Sequence, residues 1–144
     1  MNIRPAIVSD SAELVRMREL LWPGGGHAEE VDAFFAAARK DVATLVAARP
    51  EGGLAGFVEV DTRGYAEDCL TSPVPYVEGW WVDEDARRTG VGRALIGAAM
   101  EWARAAGFNE IASDTLADNA ASIAAHLALG FEKTAELVTF RRAL

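Results

Sequence analysis

Residues 76–114 constrain the fold of this chain more than any other part of the sequence. The apolar run 76–82 is followed by a turn with the spacing Arg-x-x-Gly-x-Gly, and then by the amphipathic stretch 89–106. A second short run, 110–114, closes the segment. The order of strand, glycine turn, helix and strand predicts a βαβ unit, and therefore a sheet that has helices packed against it.

The glycine turn has the character of a phosphate-binding site. Gly90 and Gly92 lack side chains where the first N–H groups of a helix have no intrahelical partners, so an anion can approach the main chain. A plain C-cap is a weaker explanation, because the helix follows these glycines. Arg87, Arg88 or Arg93 would provide positive charge next to the phosphate. The alternative for each of them is a solvated charge on the surface. Valine at Gly90 should block a phosphate and leave the fold little changed.

The rest of the chain predicts short strands that alternate with helices in a single domain of residues 1–144. An apolar period of two or of 3.6 residues distinguishes the two kinds of element. Further strands are predicted at 2–7, 44–48, 54–60, 131–135 and 137–142, and further helices at 10–22, 27–40 and from 118 or 119 to 129.

Charge and composition exclude several classes of partner. The chain has 22 acidic and 14 basic residues, a net charge of −8, which repels nucleic acid and attracts cations, although many proteins are this acidic for solubility alone. No run approaches the roughly 20 apolar residues of a membrane span. The N-terminus shows no export signal, so we expect a cytoplasmic protein. One cysteine and two histidines predict no metal site.

Two segments in this order of elements resemble the GNAT superfamily of acyl-CoA-dependent N-acetyltransferases, over nearly the whole chain. One is the turn at 87–92, and the other is the Asn-x6-His-x3-Gly-Phe segment at 119–131. The resemblance implies an α/β fold with a mixed, mostly antiparallel sheet of about six to seven strands and flanking helices. It also implies acetyl-CoA as co-substrate. The implied acetyl-CoA contacts are Trp81, Val82, Arg87, Arg88, Thr89, Gly90, Val91, Gly92, Arg93, Asn119 and His126.

Four patches more specifically resemble the aminoglycoside 6′-N-acetyltransferases: LWPG at 21–24, SPVPYVEGWWV at 72–82, ASDT at 112–115 and HLALGFE at 126–132. This resemblance implies acetyl transfer to the 6′-amine of aminoglycoside antibiotics, hence resistance, and a homodimer. The charge of −8 suits a polycationic substrate. The alternatives are an acetyltransferase for another small amine or a protein N-terminus, and a non-catalytic acyl-CoA-binding module.

Two carboxylates are the candidate catalytic residues. An ammonium must lose a proton before its nitrogen can attack a thioester, and a carboxylate or a carboxylate-held water is the usual acceptor. Glu78 interrupts an apolar strand, where an unpaired charge is costly; it could instead face solvent or pair with an arginine. Asp114 ends a strand at the edge where α/β sheets place ligands, although it could simply cap the turn before Thr115. The resemblance assigns both residues to the amine pocket.

Aromatic residues predict a second contact with the substrate, because an aromatic face attracts a cationic aminosugar. We expect Trp22 and Tyr65 to provide it. By strand alternation Trp80 should share a face with Glu78, whereas Trp81 should face the other way.

His126 occupies the position where many superfamily members have a tyrosine that protonates the thiolate of CoA. A histidine could donate a proton near neutral pH. The alternative is a hydrogen-bonded residue with a structural role.

Overall fold

Five strands form one mixed sheet in the computed structural model, which describes residues 1–144. The strands are β1 Asn2–Pro5, β2 Ala43–Ala48, β3 Leu54–Arg63, β4 Val74–Val82 and β5 Ala112–Ser113. The helices are α1 Ser11–Leu21, α2 His27–Ala37, α3 Val91–Ala105 and α4 Ala120–Ala128, with short 3₁₀ turns at Val8–Asp10 and Glu84–Ala86.

The strand order follows the chain from β1 to β5. The first three pairs are antiparallel, and β4 and β5, which are joined by α3, are parallel. The parallel pair is the predicted βαβ unit, and the mixed, mostly antiparallel sheet confirms the expected fold class.

Apolar side chains fill a core on each face of the sheet. One core packs β2, β3 and β4 against α3 and includes Val58, Leu95 and Ile96. The other lies beneath α1 and α2 and includes Leu14 and Phe57. Because successive strand residues point to opposite faces, neighbouring residues such as Phe57 and Val58 enter different cores. The two cores fix β4 between α1 and α3.

The predicted strands at 131–135 and 137–142 are wrong, so the sheet has five strands rather than six or seven. A strand needs a hydrogen-bonded neighbour, and within one chain these residues have none. Val138 is 79% exposed and Phe140 is 92% exposed, although their spacing is that of a strand.

Several element boundaries also differ from the prediction by a few residues, most clearly those of the fifth strand and the second helix. The fifth strand is shorter than 110–114, because it pairs with β4 at only two positions. The second helix ends at Ala37 rather than 40, because Ala38 adopts a left-handed conformation. None of the helices combines the length and apolar character that crossing a membrane requires.

Candidate active site

Strands β4 and β5 separate after two paired residues. Tyr76 pairs with Ala112 and Val77 with Ser113, but β4 continues to Val82 without a β5 partner. The result is an opening in the sheet, bordered by residues 78–82 on one side and by the chain that follows β5 on the other. It lies at the carboxyl end of a parallel pair, where α/β sheets bind ligands.

A β-bulge in β4 determines the face of the sheet on which the Glu78 side chain lies. The register between β3 and β4 shifts between Glu59 and Val60, so Glu78 has no residue opposite it. Glu78 lines a cavity on the α1 and α2 side of the sheet, whereas Trp80 packs into the α3 core. The prediction that Trp80 and Glu78 share a face is therefore wrong, because a bulge interrupts the two-residue alternation.

Arg63 holds the Glu78 carboxylate. Its Nε and Nη2 atoms donate to Oε1 and Oε2 of Glu78, each at 2.7 Å. The guanidinium carbon lies 3.6 Å from the ring centroid of Tyr76, which is a cation–π contact. The Glu78 side chain remains 31% exposed, so it is partly accessible to solvent.

Tyr76 connects the second carboxylate to the first. Its hydroxyl donates to Oδ2 of Asp114 at 2.7 Å, and Asp114 lies exposed just beyond the end of β5. Burial, together with this hydrogen bond, raises the pKa of Tyr76 well above its usual range. The tyrosine therefore keeps its proton near neutral pH. Asp114, Tyr76, Arg63 and Glu78 form one contiguous network that spans β3, β4 and the end of β5.

The cavity beside Glu78 is acidic. Its volume is about 220 Å³, and its lining includes the carboxylates of Glu30, Glu59, Asp61 and Glu78. One arginine, Arg18, donates hydrogen bonds to Glu30 and Glu59. Burial raises the pKa of Glu59, an effect that the hydrogen bond from Arg18 opposes. Two of these carboxylates also pair with arginines outside the lining, Glu78 with Arg63 and Asp61 with Arg39. Four carboxylates against three guanidiniums leave one net negative charge, which suits a cationic ligand.

The two predicted aromatic contacts lie in different environments. Trp22, at the end of α1, packs so closely on β4 that a Cβ at Gly79 would lie 2.3 Å from its ring. It therefore packs against the strand residue that follows Glu78, and it is not part of the lining of the cavity beside Glu78. Tyr65 lies in the loop after β3, is 66% exposed, and donates a hydrogen bond to Glu67 at 3.2 Å.

The glycine turn forms an uncapped helix N-terminus. Gly90 is the N-cap of α3 with φ +93°, no side chain caps the helix, and its first turn has no acidic residue. A Cβ at Gly90 would project into open space, whereas a Cβ at Gly92 would lie 3.0 Å from the Trp80 ring. An anion therefore fits at Gly90, while Gly92 allows α3 to approach β4. Gly90 has a left-handed φ, which strains any residue that has a Cβ. The prediction that valine at Gly90 leaves the fold little changed is therefore wrong.

Side chains of the turn fix its position against β4. Nε of Arg87 donates to the carbonyl of Val82 at 2.9 Å, and the guanidinium lies 5.0 Å from the Trp81 ring centroid. The Thr89 hydroxyl donates to Ala86 at 2.6 Å. Two further arginines complete the turn: Arg88, which has a left-handed backbone, and Arg93, which donates weakly to Ala128 at 3.5 Å.

Asn119 and His126 organise α4. Oδ1 of Asn119 accepts a hydrogen bond from the Ser122 N–H at 3.1 Å, so Asn119 is the N-cap. Nδ1 of His126 lies 2.7 Å from the Ser122 carbonyl oxygen, which only accepts, so this nitrogen carries the proton. Nε2 then accepts from the Ser113 hydroxyl at 2.8 Å. The ring also contacts Trp80 edge-on.

Several residues of this site were not predicted, among them Arg63, Tyr76 and Ser113. One pattern could have indicated Arg63, because Glu59, Asp61 and Arg63 alternate along one face of β3. The pairing of Arg63 with Glu78 depends on the register between strands, which no local pattern gives.

Comparison with known proteins identifies the family. A sequence profile of the Acetyltransferase (GNAT) family matches residues 12–131. The aminoglycoside N(6′)-acetyltransferase type 1 of Klebsiella aerogenes is 44% identical, over 99% of this chain and 96% of that protein. Its namesake from Stenotrophomonas maltophilia is 39% identical, over 99% and 94%. The structure of AAC(6′)-Iy in complex with the bisubstrate analog CoA-S-monomethyl-acetylneamine has a TM-score of 0.92 at 31% identity, over 99% and 98%. The chain therefore belongs to the GNAT acetyltransferase family.

Proposed function

We propose that this protein transfers the acetyl group of acetyl-CoA to the 6′-amino group of aminoglycoside antibiotics, and that it thereby gives resistance to them. The observation that carries this proposal is the network that links Glu78 and Asp114 at the opening between β4 and β5. Two carboxylates beside an acidic cavity suit an acceptor with several ammonium groups. The names of its relatives from Klebsiella aerogenes and Stenotrophomonas maltophilia agree with this substrate class.

The N-terminus of α3 binds the pyrophosphate of acetyl-CoA. The main-chain N–H groups of residues 88–93 donate to the phosphates, and Arg87, Arg88 and Arg93 provide countercharge. Support comes from the uncapped helix end and from the open space at Gly90. Thr89, Val91 and Gly92 shape this turn.

The thioester lies in the opening of the sheet. A main-chain N–H of Trp81 or Val82, on the part of β4 that has no β5 partner, polarises its carbonyl. Asn119 places the N-terminus of α4 beside the pantetheine arm. The hydrogen bonds of His126 to Ser113 and Ser122 favour a structural role for the histidine. With His126 in a structural role, the CoA thiolate leaves without receiving a proton from it.

The acceptor amine binds on the α1 and α2 side of the opening. Glu78 takes the proton of the reacting ammonium, directly or through a water molecule, and the free amine attacks the thioester. Asp114 binds an ammonium of the substrate and assists as a base. Trp22, at the end of α1, and Tyr65, in the loop after β3, contact the substrate with their aromatic rings.

A thiol-release assay with acetyl-CoA tests the proposed function. The acceptors are aminoglycoside pairs that differ only in a 6′-amino or a 6′-hydroxyl group, together with simple amines and a peptide with a free N-terminus. We expect turnover with the 6′-amino members and none with their 6′-hydroxyl counterparts. Equal turnover of both members, or turnover of the peptide alone, would assign a different acceptor.

We also propose that the protein is a homodimer in which residues 131–144 of each copy pack against the other. These residues form no secondary structure in one chain and expose Leu137, Val138 and Phe140. The edge strand β5 has only two residues, and no residue of α4 is buried. Apolar side chains at strand spacing beside an incomplete sheet edge suit a second copy of the chain.

Light scattering at several concentrations tests the dimer. We expect the wild type to have twice the mass of the chain, and Phe140→Asp to shift the protein towards the monomer. A wild type that remains monomeric at high concentration would contradict the proposal.

The remaining proposals concern organisation and location. A single domain spans residues 1–144, because both cores share the one sheet. The net charge of −8 disfavours nucleic acid and anionic membranes as partners. We propose a cytoplasmic location, where acetyl-CoA is present.

A further inference from the structure

Both carboxylates of the acceptor site are held by side chains that the chemistry itself does not require. Glu78 lies at a bulge, where regular pairing with β3 is lost. Asp114 lies beyond the last paired residue of β5. Neither residue has a paired residue opposite it in the sheet, so no regular cross-strand neighbour sets the direction of its carboxylate, and the side-chain partner does so instead.

We propose that Arg63 and Tyr76 are positioning residues that orient Glu78 and Asp114 towards the acceptor amine. This inference rests on the proposed function. Tyr76 acts on both carboxylates: its hydroxyl binds Asp114, and its ring lies beneath the guanidinium that binds Glu78.

The Tyr76 hydroxyl is a fixed donor. The residue is only 9% exposed, and its raised pKa keeps the proton on the oxygen near neutral pH. It binds Oδ2 of Asp114 at 2.7 Å, so Oδ1 remains available to an ammonium of the substrate. Because the hydroxyl donates its only hydrogen to one oxygen of Asp114, it holds that oxygen and restricts the directions in which the other can point.

Arg63 leaves half of the Glu78 carboxylate free. A carboxylate has about four lone-pair sites, and the two bonds from Arg63 use one on each oxygen. The others can accept from the acceptor nitrogen or from a water molecule. The planar guanidinium also stacks on Tyr76, which a lysine ammonium does not reproduce.

Tyr76→Phe tests the first half of the proposal. This substitution keeps the ring beneath Arg63 and removes only the hydroxyl. We expect kcat/KM for a 6′-amino aminoglycoside to fall about three- to tenfold, which corresponds to one hydrogen bond, with an unchanged KM for acetyl-CoA. An unchanged kcat/KM would overturn this half.

A double-mutant cycle shows whether Tyr76 acts through Asp114. In the Asp114→Ala background, Tyr76→Phe should change kcat/KM less than about twofold, because the carboxylate that it orients is absent. Full additivity of the two substitutions would show that Tyr76 acts elsewhere, and would overturn its positioning role.

Arg63→Gln and Arg63→Lys test the second half. We expect glutamine to lower kcat/KM about tenfold or more, and lysine to restore only part of the loss, because its ammonium makes neither the bidentate pair nor the stack. Arg104→Gln is the matched control. It removes the same charge from an arginine–glutamate pair on the outer side of α3 and should leave the kinetics unchanged.

A gain in activity on substitution of Arg63 would contradict its positioning role. If Arg63→Gln lowers the KM for the aminoglycoside and raises kcat/KM, the guanidinium competes with the substrate for Glu78, and positioning by Arg63 is overturned.

The proposed function and the positioning roles of Arg63 and Tyr76 can be tested separately. A wild type that acetylates no aminoglycoside contradicts the function, and crystal structures of Tyr76→Phe and Arg63→Gln then test positioning directly. Reoriented Asp114 and Glu78 carboxylates support the proposal, and unchanged ones overturn it.

Discussion

Glu78→Gln is expected to lower kcat/KM for a 6′-amino aminoglycoside about tenfold or more. The amide cannot take a proton from the reacting ammonium. It also presents an NH2 group to Arg63, so one of the two short bonds from the guanidinium is lost. The KM for acetyl-CoA should stay close to that of the wild type, because none of the proposed acetyl-CoA contacts is made by the Glu78 side chain.

Glu101→Gln is the matched control for this substitution. Glu101 is also paired with an arginine, Arg104 on α3, but through one hydrogen bond rather than two, and its side chain is 74% exposed. The Glu101→Gln substitution removes the same charge from the chain, so a general electrostatic effect on a polycationic substrate would appear in both variants. An effect confined to Glu78→Gln locates the cause in the opening between β4 and β5.

Asp114→Asn should also lower kcat/KM about tenfold or more, because it removes a charge that binds a substrate ammonium. A lower kcat for Glu78→Gln with a raised KM for Asp114→Asn would separate proton transfer from substrate binding. Unchanged kinetics in both variants would contradict the proposed acceptor site.

The sequence located the helix that begins at the glycine turn better than it located the Glu78 side chain, and the reason is local geometry. A helix that begins at a glycine turn is a short-range feature, so the spacing of Gly90, the N-cap, and Gly92, in the first turn of α3, was sufficient to locate it. The direction of Glu78 depends instead on a bulge, and strand alternation gave the wrong face. Its pairing with Arg63, 15 residues away, depends on the same register.

The C-terminal residues show another limit of local pattern. Alternating apolar residues at 137–142 were sufficient to predict a strand, yet strand formation also needs a neighbour, and one chain provides none. The pattern and the structure agree if a second copy provides that neighbour. Tertiary context, which a single sequence does not contain, therefore decides both the strand count and the direction of the carboxylate.

The two glycines of the turn serve different purposes, which determines how each is tested. Gly92 is needed for packing, since any Cβ there would meet the Trp80 ring. Gly90 has open space in front of it and a left-handed backbone. A side chain at Gly90 therefore has two separate effects: it strains the turn, and it fills the space through which a phosphate would approach.

Gly90→Val is expected to raise the Kd for acetyl-CoA about tenfold or more, because its side chain keeps the phosphates away from the N–H groups of α3. The left-handed backbone adds a strain of about 1–2 kcal/mol. Gly52→Val isolates that strain, since Gly52 has φ +103° and equally open space, but lies in the turn between β2 and β3. Calorimetric titration with acetyl-CoA, at a temperature where thermal unfolding shows both variants folded, makes the comparison. Weaker binding in Gly90→Val alone places the pyrophosphate at this turn, whereas equal Kd values in the two variants would place it elsewhere.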